Sequence, residues 1–334
     1  MIDVLVDADV LGRQRTGDET YVENLLRQLP AVAPELRVAA VTRHAERVPE
    51  GMEALELPAR SQELRMLWSL PRLLRSVRPR VGHYQHALPF RAVGPPVLTV
   101  HDLSFERHPE LMGRKDRLVF KTMVPRSARR AARVIAVSER TRDDLVELYG
   151  IPEEKIRVIP HGVDPAFSPS SDESQRFLLF VGAVQRRKDP RAALEAALDL
   201  EMPLVVVGPE REPELADELR GLGADLRGYV DKRELADLYR RAACLVVPSR
   251  YEGFGLPVLE ALASGTPVVA APDRAVVEVA GDAAVYANGR DLPGAILRAI
   301  EHRVELRAAG LARAAQFSWA EAARRTADVY RELL

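Results

Sequence analysis

Short runs of β-branched and aliphatic residues alternate along this chain with segments whose apolar positions recur every three or four residues. The first pattern predicts strands at 2–6, 37–41, 80–84, 96–100, 133–137 and 156–159. The second predicts helices at 18–29, 61–77, 114–131 and 139–149. The scheme then repeats, with strands at 177–182, 203–207, 224–228, 244–247 and 267–270. Helices follow at 189–199, 211–221, 231–242, 256–264 and 291–302. The alternation itself argues for parallel sheets covered by helices. Between the halves, 160–175 (PHGVDPAFSPSSDESQ) has no period and is rich in Pro, Ser and Asp, which predicts an interdomain linker. A last helix follows Phe317-Ser318-Trp319, with Ser318 as its N-cap. The expectation is an α/β protein with two doubly wound parallel-sheet domains, 1–168 and 169–316, and a terminal helix over 317–334. Ligand loops at the strand C-termini would face each other across a cleft.

Residues 248–270, PSRYEGFGLPVLEALASGTPVVA, carry the most chemistry. Glu252 and Glu260 stand on either side of a Gly-rich loop that runs into a helix. Pro257 suits the first helical position, and Leu256, Val258, Leu259, Leu262 and Ala263 form an apolar stripe. Gly265 reads as a left-handed cap, and Thr266-Pro267 stops continuation before the next strand. Small residues at Gly253 and Gly255 let the helix N-terminal amides approach a phosphate. The two carboxylates can then hold hydroxyls on either side of a diphosphate. This is the pattern of a sugar-nucleotide seat.

Other candidates sit at predicted strand ends. Gly182 opens a turn ending in Arg187-Lys188-Asp189, a cationic clamp for phosphate or, equally well on its own, a solvated basic turn. Gly17, in RQRTGDET after the first strand, could let backbone approach a ligand, the plainer reading being a loop capped by Asp18 or Thr20. His101, followed by Asp102 at a strand end, reads as functional. His83 and His86 read as core or helix-face residues. Asp7-Ala8-Asp9 imitates a metal-holding D-x-D pair but reads as a decoy, with Asp7 orienting local backbone. Neither a full G-x-G-x-x-G nor a Walker sequence is present.

Composition narrows the classes. A chain of 334 residues with net charge −1 suits two domains and shows no global pull toward nucleic acid. Cys244 is the only cysteine, which excludes disulfides and Cys-based metal sites and fits a reducing cytoplasm. No metal is expected, because no His/Glu cluster has metal-ligand spacing. The chain opens on a strand without a leader and has no run of the ~20 apolar residues a bilayer span needs, so a soluble cytoplasmic protein is expected. Basic amphipathic stretches at 63–80 and 114–133 can rest on anionic lipid at the inner face of a membrane. A packed helix with a solvated basic face, interrupted at Pro71, is the plainer reading.

Taken together, the chain resembles the retaining glycosyltransferases of family 4, which adopt the GT-B fold. The resemblance rests on HDLSF at 101–105, VIAVSERTRDDLVELYG at 134–150, VIPHGVDPAF at 158–167, VGAVQRRKD at 181–189 and the E-x₇-E pair in EGFGLP. It implies that Arg187 and Lys188 bind the donor diphosphate beside Gly182, and that Glu252 holds sugar hydroxyls. Amides from Gly253, Phe254, Gly255 and Leu256 would lie at the sugar and phosphate, with Glu260 on the ribose and Val230 lining the donor site. His101 would lie by the transferring sugar, and the C-terminal helix would cross back onto the first domain. Two positions depart from the pattern: His161 stands where Asn is frequent, and Ala183 where some members carry a further Arg. The second bears on how many cations grip the diphosphate. The implied reaction retains anomeric configuration by front-face attack without metal. The donor is expected to be GDP-mannose, from the likeness of HYQHALP, TVHDLSF and SERTRDDL to bacterial mannosyltransferases, with a UDP-sugar as competitor. The acceptor would be a glycan or lipid-linked glycan. A GT-B-like UDP-sugar epimerase and a non-catalytic sugar-nucleotide sensor are the alternatives.

Overall fold

Apolar strands that are buried at nearly every position pair most simply in parallel, with helices on both faces. A computed structural model describes residues 1–13, 16–111, 114–170 and 176–334. It divides the chain into two units, Met1–Gly162 with Trp319–Leu334, and Val163–Ser318.

The first unit holds a seven-stranded sheet in the order β3-β2-β1-β4-β5-β6-β7. Its strands are β1 (Val4–Asp7), β2 (Val38–Thr42), β3 (Glu53–Glu56), β4 (Val81–Gln85), β5 (Pro96–Val100), β6 (Arg133–Ala136) and β7 (Ile156–Val158). Every ladder is parallel; Val6 stands opposite Ala40 on one side and His83 on the other. Leu5, Leu98, Val100, Val134 and Leu145 lie in its core. The edge strand β3, Glu-Ala-Leu-Glu and half exposed, has no β-branched run and escapes sequence reading.

The second unit holds a six-stranded parallel sheet in the order β10-β9-β8-β11-β12-β13. These strands are β8 (Leu178–Val181), β9 (Leu204–Val207), β10 (Asp225–Gly228), β11 (Cys244–Val247), β12 (Val268–Ala270) and β13 (Val285–Tyr286). Leu178, Phe180, Val206 and Val246 anchor its core, and Cys244 lies among them with its thiol pushed up to about 12 by burial. The two-residue β13 and the helices Arg274–Ala280 and Arg303–Ala314 are additions to the expected elements.

Three expectations need correction. The boundary lies at Gly162/Val163 rather than after residue 168, and 163–170 is no loose linker. Arg240 donates to the carbonyls of Ala166 and Ser168, Arg307 to that of Ser170, and Phe167 packs on Tyr239, which fixes this stretch to the second unit. Residues 171–175 lie outside the described residues. Pro71 does not interrupt its helix, because a π turn at Arg65–Ser69 joins Gln62–Leu64 to Leu70–Val77. Asp7 holds more than backbone: it takes a bidentate pair from the fully buried Arg65, at 2.9 and 2.6 Å, besides the amide of Asp9. Asp9 is occupied by Arg43 at 2.8 and 2.6 Å, so both acids of the D-x-D pair are spent on arginines.

The helix Trp319–Arg331 belongs to the first unit and packs on the helix Thr16–Val32. No helix among the described residues is long and apolar enough to cross a membrane.

Candidate active site

In an open parallel sheet, ligands bind where the strand order reverses, because the loops after the two flanking strands part there. In the second unit that point lies between β8 and β11, and the loops after these strands carry Gly182–Asp189 and Ser249–Gly255. The β8 loop must pass very close to the end of β9. A Cβ on Gly208, at φ +142°, would lie 2.1 Å from the Gly182 carbonyl oxygen, so only glycine serves there.

Beyond Gly182 the chain makes a 3₁₀ turn at Arg186–Lys188 and starts the next helix from Asp189, whose carboxylate accepts from the Ala192 amide at 3.4 Å. This turn aims both cations back across the switch point. Lys188 Nζ lies 2.5 Å from each carboxylate oxygen of Glu252. Arg187 Nη1 donates to the Tyr251 carbonyl at 2.7 Å, and the Arg250 amide donates to the Arg187 carbonyl at 3.0 Å. Burial alone would raise the Glu252 carboxyl, but Lys188 and Arg187 outweigh it and hold the group below its ordinary range. Glu252 is therefore a buried carboxylate held against the Lys188 ammonium.

The loop continues through buried Gly253 and Phe254, the latter edge-on to Phe317 at 6.1 Å, into the helix Leu256–Ser264. Gly255, at φ +104°, occupies its N-cap position without a side-chain cap, and Pro257 is the second helical residue rather than the first. An N-terminus of this kind presents amides and a positive dipole end to an anion. The helix is buried on almost all sides, so Glu260 is buried as well. Tyr239 Oη donates to Glu260 Oε2 at 2.9 Å, and burial pushes the Glu260 carboxyl up to about 7, with Tyr239 and Lys232 opposing and Asp164 adding to the rise. Lys232 pairs with Asp164 at 2.6 Å. Val230 is half-buried in the loop between β10 and the Asp231 cap of the next helix.

In the first unit the strand order reverses between β1 and β4. Gly17 lies within the helix Thr16–Val32 and is not among the positive-φ residues; the left-handed glycine of this segment is Gly12, whose amide donates to Glu19 at 2.7 Å. Asp18, next to Gly17, faces two histidines. His86 Nε2 lies 3.4 Å from one of its oxygens and His101 Nδ1 3.9 Å from the other. His101 Nε2 donates to Gln85 Oε1 at 3.0 Å, and burial depresses the imidazole to about 4 despite the opposing pull of Asp18. Asp102 turns instead to the Ser104 amide and hydroxyl.

Two histidines depart from their expected places. His86 belongs to the His101 group, at a ring separation of 5.1 Å. His161 is buried against His101, Tyr21 and Trp319, with its pKa lowered mainly by burial. His83 is a core residue as expected, held by Tyr330 at 2.6 Å and Thr99 at 2.7 Å. Asp18, His86 and His101 are far apart in the chain, so their grouping is invisible to linear spacing; only their shared position at strand ends hinted at it.

Comparison with known proteins decides the class. The family profile described as "Glycosyltransferase Family 4" matches residues 15–167, and that described as "Glycosyl transferases group 1" matches 166–312. D-inositol 3-phosphate glycosyltransferase 1 of Catenulispora acidiphila is 36% identical over 297 residues, covering 76% of this chain and 70% of that protein. This chain belongs to glycosyltransferase family 4. The O-antigen chain mannosyltransferase B of Escherichia coli is 31% identical over 268 residues, 71% of this glycosyltransferase and 70% of its relative. Among solved structures, sucrose-phosphate synthase from Thermosynechococcus elongatus aligns with a TM-score of 0.78 at 20% identity, covering 100% of this chain and 99% of that one. Anabaena HepE in complex with UDP-glucose aligns at 0.79 and 15% identity over 100% of both chains. These likenesses establish the GT-B fold for the glycosyltransferase, with its two parallel-sheet α/β domains.

Proposed function

We propose that this glycosyltransferase moves a hexosyl group with retention of configuration, from GDP-mannose, to a glycan or lipid-linked glycan acceptor. The observation behind this reading is the Lys188–Glu252 pair across the β8/β11 switch point, with Arg187 behind it and a helix N-terminus beside it. Leaving of a nucleoside diphosphate builds negative charge on phosphate oxygens. Fixed cations and amide dipoles stabilise that charge where it appears, without the reorganisation water would need. Arg187 and Lys188 are assigned to the diphosphate, and Glu252 to sugar hydroxyls while it keeps Lys188 in place. The amides of Gly253 to Leu256 are assigned to the sugar and phosphate, Glu260 to the ribose and Val230 to the donor wall. In the first unit, His101, held neutral by burial, would accept or donate a hydrogen bond at the transferring sugar. These cations and amides can carry the leaving-group charge without a metal ion.

Mannose is favoured because one of the relatives, covered over 70% of its length, is named an O-antigen chain mannosyltransferase. UDP-glucose is the competitor, since a structural neighbour is a complex with it. A lipid-linked acceptor fits one face of the first unit. Exposed Leu67, Trp68 and Phe90, joined by the Phe90 amide to the Met66 carbonyl at 3.0 Å, sit with exposed Arg72, Arg75 and Arg91 in the same segments.

The test is a transfer assay with labelled GDP-mannose, UDP-glucose and UDP-GlcNAc, run with and without acceptor lipid in anionic vesicles, alongside thermal shifts for each nucleotide. GDP-mannose should give the largest shift and a labelled, sedimenting product of retained anomeric configuration. Lys188→Ala should lower turnover by about a hundredfold or more. An epimerised donor formed without acceptor, or full turnover in Lys188→Ala, would overturn the reading.

A further inference from the structure

We propose that Asp18, His86 and His101 form a binding site for a divalent transition-metal ion, and that an ion bound there inhibits sugar transfer. The ligand atoms come from three elements that meet at the first unit's switch point: the start of the helix Thr16–Val32, the residue after β4, and the residue after β5. One ligand atom from each residue, two ring nitrogens and one carboxylate oxygen, lie within 4.8 Å of one another. A tetrahedral ion with bonds of about 2.0–2.1 Å spaces its donors about 3.4 Å apart. His86 Nε2 lies 3.4 Å from one Asp18 oxygen and His101 Nδ1 3.9 Å from the other, so a turn of the carboxylate and small shifts of the rings would close the set on one ion.

The surroundings support ligation. A metal-binding imidazole characteristically donates its other ring N–H to an oxygen, which fixes the tautomer and the ring plane. His101 does this toward Gln85 Oε1 at 3.0 Å, so the lone pair lies on Nδ1, the nitrogen that faces Asp18. The Gln85 support is itself placed by β4, where Gln85 pairs with Thr99, and the His86 amide continues the ladder to the Thr99 carbonyl at 2.9 Å. His83, one turn of the pleat away, has both nitrogens engaged by Tyr330 and Thr99 and takes no part. Two imidazoles and one carboxylate suit zinc, cobalt, nickel or ferrous ions better than magnesium or calcium, which prefer all-oxygen sets. Three protein ligands leave a coordination position for water.

The inhibitory half rests on the assignment of His101 to the transferring sugar, because a nitrogen that ligates an ion cannot also face a sugar hydroxyl. The binding half does not rest on it. Tag-free protein titrated with Co²⁺ should develop the visible d–d absorption of a histidine-ligated ion at one equivalent, and Zn²⁺ should bleach it. His86→Asn is the first variant, since His86 sits at φ +57° and asparagine accepts that backbone. Asp18→Asn is the second. Each removes one of three ligands and should weaken Co²⁺ binding by more than the roughly tenfold to hundredfold that loss of a ligand's outer partner costs, with circular dichroism and nucleotide binding unchanged. Zn²⁺ should inhibit wild-type transfer and leave His86→Asn at that variant's own metal-free rate. Absence of cobalt bands in the wild type, or equal bands in both variants, overturns the site. Cobalt bands lost in the variants together with Zn²⁺-indifferent transfer overturn only the inhibition, and with it the place given to His101.

Discussion

Glu252 and Glu260 are chemically the same side chain, and their surroundings separate them. Glu252 meets two cations and stays ionised; Glu260 meets a tyrosine hydroxyl in a buried helix and is pushed up to about 7. A ribose donates its hydroxyls, so the form of Glu260 that can accept two of them is the carboxylate. Nucleotide affinity should therefore rise as pH climbs from 6 to 8, with protons released on binding, and Glu260→Gln should flatten the slope. Calorimetry in buffers of different ionisation enthalpy measures both; a pH-independent affinity in the wild type would remove Glu260 from the ribose. Sequence reading can locate both acids because their spacing and the glycines around them are local. It cannot foresee Tyr239 or the Asp164–Lys232 pair beside Glu260, since these arrive from other segments, Tyr239 and Lys232 from the helix Lys232–Arg241.

At the scale of elements, what the chain reveals in advance is what repeats. Apolar runs such as Pro96–Val100 and Cys244–Val247 stand as strands because each is buried on both faces, and the long helices keep their period. What stays hidden is short or polar: the edge strand β3, the helix Arg303–Ala314 with its largely exposed surface, and the Asp7–Arg65 pair that takes a cation out of an apparently solvated basic stretch. The histidines of the first unit show a further collective property. His83 is depressed to about 3, His101 to about 4, and His161 also lies below its ordinary value, each mainly by burial. Unfolded histidines titrate near 6.5, so between that value and the folded ones the unfolded chain binds more protons, and stability falls as pH falls. Each group removes up to about 1.4 kcal/mol per pH unit in that window. Denaturant melts of the first unit should therefore weaken from pH 6.5 toward pH 4, and His83→Gln should reduce the slope by about one proton. A midpoint flat over this range would mean that these rings are charged in the native state.

On the scale of the whole molecule, the second unit is an insertion within the first. The chain leaves the first unit after Gly162 and returns at Trp319, and Val163 and Ser318 pair in a parallel bridge at that point. The returning helix is structural for the first sheet: Tyr330 holds His83, Glu332 ties Arg133 of β6 to Arg157 of β7, and Arg331 reaches Glu35. Val329 and Tyr330 are buried, and each large apolar side chain lost exposes about 1.5–3 kcal/mol of burial energy, a sizeable share of a domain's ordinary stability. Truncation after Ser318 should abolish or sharply lower the melting transition of the first unit. Nucleotide binding by the second unit should persist, since Arg187, Lys188, Glu252 and Glu260 all lie within Val163–Ser318. Calorimetry with and without nucleotide reads both outcomes, and an unchanged first transition would refute the structural role of this helix. The order of manufacture follows from the same topology. A ribosome makes residues 163–318 in full before it supplies the segment that completes the earlier part. The second unit can thus mature during synthesis while residues 1–162 wait, half-finished, for a piece that arrives behind it.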